Sequence, residues 1–183
     1  MRLLNTRTLQ LTEFVDFIPP YAILSHTWSP KEVSFQEIHA AEARHKQYAW
    51  VDTCCIDKSS SADLSEAINS MFRWYARAHV CYVYLAGVEG PYRKDAKTIL
   101  LTYTPDGAAS RWYSRGWTLQ ELLAPSNIIF YNREWQRIGT KRQLLTEISD
   151  IASVDEVNLV KLNLKPTCIG QKISWASRRK LPE

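Results

Sequence analysis

The chain has 183 residues, of which 45% are hydrophobic and 23% are charged, a balance typical of one globular domain. The formal net charge is +4, and Lys and Arg are scattered until the SRRK stretch near the end, so we expect no nucleic-acid partner. No apolar run approaches the roughly 20 residues of a membrane span, and the N-terminus lacks the features of a signal peptide, so we expect a cytoplasmic protein.

Four apolar stretches predict buried β-strands, near residues 21–25, 49–54, 80–85 and 127–131. Helical patterns lie between or after these strands, at 32–47, 61–78, within 110–125, at 141–152 and near GQKISWASRR. The helix at 61–78 has the clearest signal, because Ser60 and Asp63 fit a capping box ahead of apolar residues at helical spacing. The pattern at 32–47 is weak, since it offers few large apolar side chains.

The alternation of continuous apolar strands with helices predicts a parallel sheet with helices on both faces. Right-handed crossovers then give an α/β fold with an open, doubly wound sheet of flavodoxin-like order, in which the strand at 21–25 is central. We expect residues 1–152 to form this domain and residues 153–183 to add a C-terminal helical extension of the same domain. Such sheets bind ligands beyond the carboxyl ends of their strands.

That rule selects polar and aromatic side chains at two strand ends as candidate ligand contacts. Ser25, His26 and Trp28 follow the first strand, and Asp52 and Asp57 follow the second. His26 has the alternative of a strand-end histidine hydrogen-bonded to a neighbouring loop. Asp57 stands close before the clearest helix, so capping that helix is its alternative role.

Four cysteines, at positions 54, 55, 81 and 168, form no CxxC pattern, which favours reduced thiols in a cytoplasmic protein. Cys54 and Cys55 are adjacent and would face opposite sides of the second predicted strand. The four histidines have no paired ligand spacing, so we expect no metal site. GxGxxG and P-loop motifs are absent from the sequence, which excludes the Rossmann fingerprint and the Walker phosphate cradle.

The stretch SRWYSRGWTLQELLAP places Trp117 and Glu121 four residues apart on one predicted helix. Residues at this spacing share a face, so Glu121 is predicted to point inward with the tryptophan. The alternative is an exposed glutamate paired with Arg111 or Arg115. Gly116 costs a helix about 1 kcal/mol relative to Ala, which indicates that something approaches the backbone closely at this point.

Three blocks of the sequence, YAILSHTW, YAWVDTCCIDK and SRWYSRGWTLQELLAP, resemble the signature blocks of the fungal heterokaryon-incompatibility (HET) domain. The similarity runs from Met1 to about Arg179. It implies a fungal cytosolic protein whose domain triggers cell death after non-self recognition, and a family pattern that continues beyond residue 183. The link between Trp28 and Tyr48 is shorter than in most members of that family.

The blocks are also similar to those of TIR domains, and SRWYSRGWTLQEL is similar to the segment of NAD-cleaving TIR domains that ends in Trp-x-x-x-Glu. The glutamate is catalytic in those enzymes, and the match falls on Trp117 and Glu121. The resemblance therefore implies a TIR-like NAD glycohydrolase, with Glu121 as its catalytic residue, NAD as its substrate and no further cofactor.

A catalytic glutamate of this kind acts as a negative charge beside the ribose, so we expect Glu121 to remain ionised at neutral pH with help from a nearby arginine. Arg111 or Arg115 would also meet the pyrophosphate of NAD. An aromatic side chain would stack on one of its bases, with Trp28, Trp112 and Trp117 as candidates.

Two functions of other classes remain open on the sequence alone. One is a non-catalytic scaffold that self-associates through its helices and recruits a partner signalling protein. The other is a hydrolase that uses Cys54 or Cys55 as nucleophile with His26 as base.

Overall fold

The computed structural model describes residues 1–27, 47–88, 110–160 and 167–180. Within these ranges the chain forms one seven-stranded sheet and seven helices. The strands are β1 (Arg2–Asn5), β2 (Leu11–Glu13), β3 (Tyr21–His26), β4 (Tyr48–Trp50), β5 (Val80–Tyr84), β6 (Ile128–Tyr131) and β7 (Arg137–Thr140). The helices are α1 (Asp52–Cys55), α2 (Ser61–Arg77), α3 (Arg111–Ser114), α4 (Thr118–Leu123), α5 (Leu145–Ala152), α6 (Glu156–Val160) and α7 (Ile169–Ser177).

The sheet has the strand order β2-β1-β4-β3-β5-β6-β7. Its four inner strands, β4, β3, β5 and β6, are parallel to their neighbours within this group, and β3 has a parallel neighbour on each side. This confirms the α/β class and the central position of the first predicted strand. When the four parallel strands are numbered by their position along the chain, their order across the sheet is second, first, third and fourth. The finer flavodoxin-like assignment stays a prediction, since antiparallel β7 follows β6 at that edge.

Both edges of the sheet carry strands that the sequence analysis did not predict. β1 and β2 form an antiparallel pair, and β1 adds antiparallel to β4. β7 folds back antiparallel on β6. The three residues of β2 are all exposed, and the two buried residues of β1, Leu3 and Leu4, are adjacent rather than alternating. Neither strand therefore shows the period of two that marks a half-buried strand in a sequence.

The second predicted strand, expected at 49–54, is shorter in the structure, where β4 ends at Trp50. The chain then turns into α1, in which the Cys55 amide donates to the Val51 carbonyl oxygen at 2.8 Å. The prediction that Cys54 and Cys55 face opposite sides of a strand is therefore wrong, and their sulfur atoms lie 3.9 Å apart. The apolar run was misleading because a buried helical turn and a buried strand have the same composition over so short a length.

Three of the predicted helices form near their expected positions. α2 begins after Ser60, whose hydroxyl accepts a hydrogen bond from the Asp63 amide at 3.3 Å, so this cap is confirmed. α7 coincides with the predicted helix near GQKISWASRR. α5 begins at Leu145 instead of 141, because residues 141–144 form a turn. The stretch predicted as one turn and helix within 110–125 forms two short helices, α3 and α4.

The buried apolar residues form two clusters, one on each face of the sheet. The buried apolar side chains of the described helices all belong to the first cluster, which includes Ile23, Val83 and Phe130 of the strands. The second cluster includes Leu24 and Tyr82. The helix predicted at 32–47 lies outside the described residues, so its covering of the second face stays a prediction.

None of the helices in the described ranges is long and apolar enough to span a bilayer.

Candidate functional site

A cavity of about 370 Å³ opens at the carboxyl edge of the parallel strands. This volume lies within the range of about 300–1,000 Å³ that is usual for small-molecule sites. The ends of β3 and β4, one face of α2, and the α3–α4 region form its walls. Its acidic and basic lining residues are His26, Asp52, Lys58, Arg115 and Glu121. The apolar wall contributed by α2 includes Leu64, Ile68 and Met71.

Glu121 of α4 lies in this cavity and is only 7% exposed. Trp117 lines the same cavity, so the two residues share a face as their spacing predicts. The Ser25 hydroxyl donates to Oε2 of Glu121 at 2.5 Å, and the Trp112 indole N–H donates to the Ser25 oxygen at 2.7 Å. The glutamate is therefore tied directly to the end of the central strand.

These two hydrogen bonds have a fixed direction. An indole nitrogen can only donate, so the Ser25 oxygen accepts from Trp112 and gives its single proton to Glu121. Oε2 of Glu121 is thereby committed to Ser25 as an acceptor. The Tyr75 hydroxyl is a second hydrogen-bonding neighbour of the same carboxyl group.

Burial, together with the weaker repulsion of the Asp52 carboxylate, raises the pKa of Glu121 from 4.5 to about 7. The Ser25 hydrogen bond, the Tyr75 hydroxyl and Arg115 act in the opposite direction without offsetting the burial. Arg115 lowers the pKa of Glu121 as expected, but it does not keep this glutamate fully ionised at neutral pH. The acid and the carboxylate are both populated near neutral pH.

His26 and Asp52 border the same cavity from two different strand ends. Nδ1 of His26 lies 3.9 Å from Oδ1 of Asp52, which is ion-pair range and longer than a hydrogen bond. The His26 side chain is only 2% exposed. The structure thus brings Glu121, which the sequence analysis placed on a helix, together with Ser25, His26 and Asp52, which it placed at strand ends.

Two predicted contacts lie away from this group. Asp57 is exposed, and its carboxylate accepts hydrogen bonds from the Ser59 amide at 2.9 Å and the Ser59 hydroxyl at 2.6 Å. Those bonds lower the pKa of Asp57 and occupy it in the turn before α2. The cap of α2 is Ser60, so the alternative role of Asp57 as the cap of that helix is wrong. Arg111 opens α3 on the exposed side, because Trp112 beside it takes the inward position. Neither Asp57 nor Arg111 is among the described residues that line the cavity.

Trp28 lies outside the described residues, so its predicted contact stays a prediction. Trp112 is completely buried, and its indole is engaged with Ser25. It therefore serves as a hydrogen-bond donor within the core and is not available to stack on a ligand. Trp117 is half-buried and borders the cavity, as does Arg115, so these two retain their predicted roles as ligand contacts.

The sequence analysis missed two polar residues of the cavity wall, Tyr75 and Lys58. Tyr75 falls among the apolar residues at helical spacing on α2, yet its hydroxyl donates to the Leu24 carbonyl oxygen at 3.1 Å and also lies beside Glu121. Lys58 lies in the turn between α1 and α2 and adds a cation to the lining. Their signals were present in the sequence, as a tyrosine among aliphatic residues and a lysine directly after the CCID block.

The thiols do not join His26 at this site. Neither Cys54 nor Cys55 is among the described residues that line the cavity, and Cys55 borders a separate small cleft. The hydrogen bond between the two thiols and burial raise the pKa of Cys55, whereas the same hydrogen bond lowers the pKa of Cys54. Over the described ranges, no three His, Cys, Asp or Glu side chains gather closely enough to hold a metal ion.

The fold and the site together define an α/β domain with a ligand-sized cavity, and a buried glutamate within it, at the carboxyl edge of its parallel strands. The sequence pattern of the family described as "Heterokaryon incompatibility protein (HET)" matches residues 35–100. A vegetative incompatibility protein of Podospora anserina, HET-E-1, is 40% identical over 190 residues, which cover 88% of this chain. The chain therefore belongs to the heterokaryon incompatibility (HET) family.

The similarity concerns one part of the relative. The chain corresponds to 13% of the length of the Podospora protein. No solved structure matches the chain. The residues matched by the family pattern end before Glu121, so the role of that glutamate depends on its geometry.

Proposed function

We propose that this domain acts in heterokaryon incompatibility by cleaving the nicotinamide–ribose bond of NAD in the cytoplasm. The observation that carries the proposal is the buried Glu121, held by Ser25 in a cavity that also presents cations and an aromatic side chain. Membership of the HET family and the name of the Podospora relative support the biological role. The similarity of the Trp117–Glu121 segment to NAD-cleaving TIR domains supports the reaction.

The first step needs one negative charge and no acid. The bond between C1′ of the ribose and the pyridinium nitrogen breaks, and its electron pair neutralises the nicotinamide, which leaves without a proton. The ribose becomes an oxocarbenium-like cation. Ionised Glu121 stabilises that cation, and the low dielectric of its buried position strengthens the attraction.

The second step adds water to C1′. The water oxygen forms the new bond, and Oε1 of Glu121 takes the released proton before passing it to solvent. A carboxylate whose pKa is about 7 is suited to this step, because a general base works best near the operating pH. The balanced products are nicotinamide, ADP-ribose and one proton.

The other lining residues suit the remainder of the substrate. Arg115 and Lys58 supply cations for the pyrophosphate, and Trp117 offers an aromatic surface for a base. Asp52 adds a second carboxylate, which suits the hydroxyl groups of a ribose. Leu64, Ile68 and Met71 give one wall an apolar surface against which a ring can pack.

The test is incubation of the purified protein with NAD, followed by chromatography for nicotinamide. We expect cleavage by the wild type and none by Glu121→Gln, which keeps the shape of the side chain and removes its charge. Glu66→Gln is the matched control, because Glu66 is an exposed glutamate on α2 that does not border the cavity among the described residues. Equal turnover by Glu121→Gln and the wild type would exclude this mechanism.

A non-catalytic scaffold is the second candidate, and one observation favours it. Leu64, Ile68 and Phe72 follow one another at helical spacing on α2 and are each 40–44% exposed. Such a stripe suits self-association. Phe72→Glu would break that contact without altering a cavity residue. Cell killing that is lost in Phe72→Glu and kept in Glu121→Gln would favour the scaffold, and the opposite pattern would favour catalysis.

A further inference from the structure

The C-terminal end of the described chain lies against the turn between α3 and α4. The Gly116 amide donates to the Lys180 carbonyl oxygen at 2.8 Å, and the Lys180 amide donates to the Ser114 carbonyl oxygen at 2.7 Å. These bonds form a short parallel bridge between Arg115 and Lys180. We call residues 179–180 the C-terminal strap.

The side chain of Arg179 adds two hydrogen bonds to the same α3–α4 turn. Its Nη1 donates to the Arg115 carbonyl oxygen at 3.3 Å and to the Thr118 hydroxyl oxygen at 3.1 Å. Thr118 in turn donates to the Trp112 carbonyl oxygen at 2.6 Å. Arg179 is 9% exposed, and burial lowers its pKa to about 10, so it remains a cation at neutral pH.

A buried guanidinium is costly to desolvate unless its donors are satisfied. Nη2 of Arg179 has no hydrogen-bond partner within the described part of the chain, so its burial is not explained by full pairing. The bonds that it does make all go to the turn at Arg115 and to the first residue of α4. The hydrogen bonds that offset the cost of burying Arg179 therefore all stabilise the turn that precedes Glu121.

That turn carries the functional side chains of the cavity. Arg115 and Trp117 flank Gly116, and Glu121 follows within α4. α3 has four residues and α4 has six, which is too short for either helix to be stable by itself. The direction in which these side chains point must therefore be set by contacts from elsewhere in the fold.

We propose that Arg179 and the Lys180 backbone are positioning residues, which hold the Arg115–Gly116 turn so that Trp117 and Glu121 face the cavity. Displacement of the C-terminal strap would release the turn and open the site, which couples the region after α7 to the cavity. The backbone that approaches the chain at Gly116 is that of Lys180. The effect on catalysis depends on the proposed function, whereas the effect on the turn does not.

Two variants of one residue separate the backbone contact from the side chain. Lys180→Pro removes the amide that donates to Ser114, and Lys180→Ala removes the same side chain while keeping that amide. We expect the Gly116 amide to exchange with solvent about tenfold faster in Lys180→Pro, the factor that corresponds to the net loss of one hydrogen bond. Lys180→Ala should exchange as the wild type does.

A carbon-13 titration of the Glu121 carboxyl group gives the second measurement. Water should reach this carboxyl group in Lys180→Pro, so its pKa should fall from about 7 towards its ordinary value, while Lys180→Ala leaves it unchanged. A contact that merely stabilised the C-terminus would not move this titration.

Arg179→Lys guards against a proline variant that fails to fold, because it keeps the charge and loses the forked donor geometry. Arg178→Lys is its control, since Arg178 is exposed. Faster exchange of the Gly116 amide in Arg179→Lys, but not in Arg178→Lys, supports the positioning role of the strap. If the Gly116 amide exchange and the Glu121 titration were the same as in the wild type in both Lys180→Pro and Arg179→Lys, the positioning role would be overturned. A shifted titration in a protein that never cleaves NAD would keep the strap and reject the proposed function.

Discussion

The helix α2 and the α3–α4 segment form walls of one cavity, yet they are held in place by different means. α2 has 17 residues, with a Ser60 cap at its start, Asp63 in its first turn and Arg77 in its last turn. These are local signals that stabilise a helix whatever surrounds it. The α3–α4 segment is interrupted at Gly116, and neither half has the length of a stable helix.

Long-range contacts hold the α3–α4 segment instead. Ser25 of the central strand donates to Glu121 of α4 and accepts from Trp112 of α3, and the strap residue Arg179 fixes the turn. At the other end of α4, Nζ of Lys141 donates to the Leu122 carbonyl oxygen at 2.7 Å and to the Pro125 carbonyl oxygen at 3.3 Å. Arg115, Trp117 and Glu121 therefore lie on a segment whose conformation is set by contacts from the rest of the fold. Their geometry is for that reason sensitive to changes at distant residues.

The largest expected contrast comes from the same substitution in each region. Leu122 of α4 is completely buried, whereas Leu64 of α2 is 40% exposed. Leu122→Ala should lower the free energy of unfolding by about 2–5 kcal/mol, because it leaves a cavity in the core. Leu64→Ala should cost less than about 1 kcal/mol, since little packing is lost. Urea denaturation of both variants measures the difference, and equal losses would show that α4 is no more dependent on the core than α2.

The second prediction concerns the pH dependence that Glu121 gives to stability. Its folded pKa is about 7 against an ordinary value of 4.5, so the folded state holds this proton more tightly than the unfolded state. The wild type should therefore lose stability relative to Glu121→Gln as pH rises from about 4.5 to about 7. The relative loss should reach about 3 kcal/mol, since each pKa unit corresponds to about 1.4 kcal/mol.

Thermal or urea unfolding across pH 4–8 checks this second prediction, with Glu66→Gln at an exposed position of α2 as the control. We expect Glu66→Gln to follow the wild type throughout that range. If the curves of Glu121→Gln and the wild type ran parallel, the carboxyl group would not be buried as the structure places it.

A smaller effect is expected from the hydrogen bond to Glu121. Ser25→Ala removes the donor that lowers the pKa of Glu121, so that pKa should rise by about one unit, the size expected of a hydrogen bond to a charged group. NAD cleavage that needs the ionised form should then fall at pH 7 and recover at higher pH. Trp112→Phe keeps the serine proton on Glu121 and should shift the profile less. A profile of kcat/KM against pH that is identical in Ser25→Ala and the wild type would contradict this role.

The smallest change is expected at the start of α2. Ser60→Ala removes the cap of the Asp63 amide and should cost about 1 kcal/mol of stability. Ser60→Asp supplies another capping side chain and should restore most of the loss. The exchange of the Gly116 amide should be the same in both variants, because α2 is stabilised locally. A loosened turn at Gly116 in Ser60→Ala would show that the two walls are coupled.

Much of the parallel sheet could be predicted from the sequence, and its edges could not. The inner strands are continuous apolar runs because both of their faces are buried, and such runs are visible in a sequence. β1, β2 and β7 exist because they pair with strands already in place, and their own side chains do not alternate. α1 was hidden for a related reason, since Cys55 is buried in a helical turn as it would be in a strand.

The candidate site shows the same division. Ser25, His26 and Asp52 were found because they follow apolar strands, and Glu121 because it lies four residues after Trp117. Tyr75 and Lys58 were missed, because helical periodicity assigns a residue to a face without showing what lies opposite that face.

The sequence by itself determined the central parallel strands, the capped helix α2 and the inward direction of Glu121, because each depends on neighbours within a few positions along the chain. Only the tertiary structure decided that Ser25 donates to Glu121, that Asp57 and Arg111 lie away from the cavity, and that Lys180 closes the turn at Gly116. The pKa of Glu121 belongs to the second group, because it is set by how completely the fold removes water from the carboxyl group. Burial is a property of the whole fold, whereas periodicity and capping are properties of a short segment.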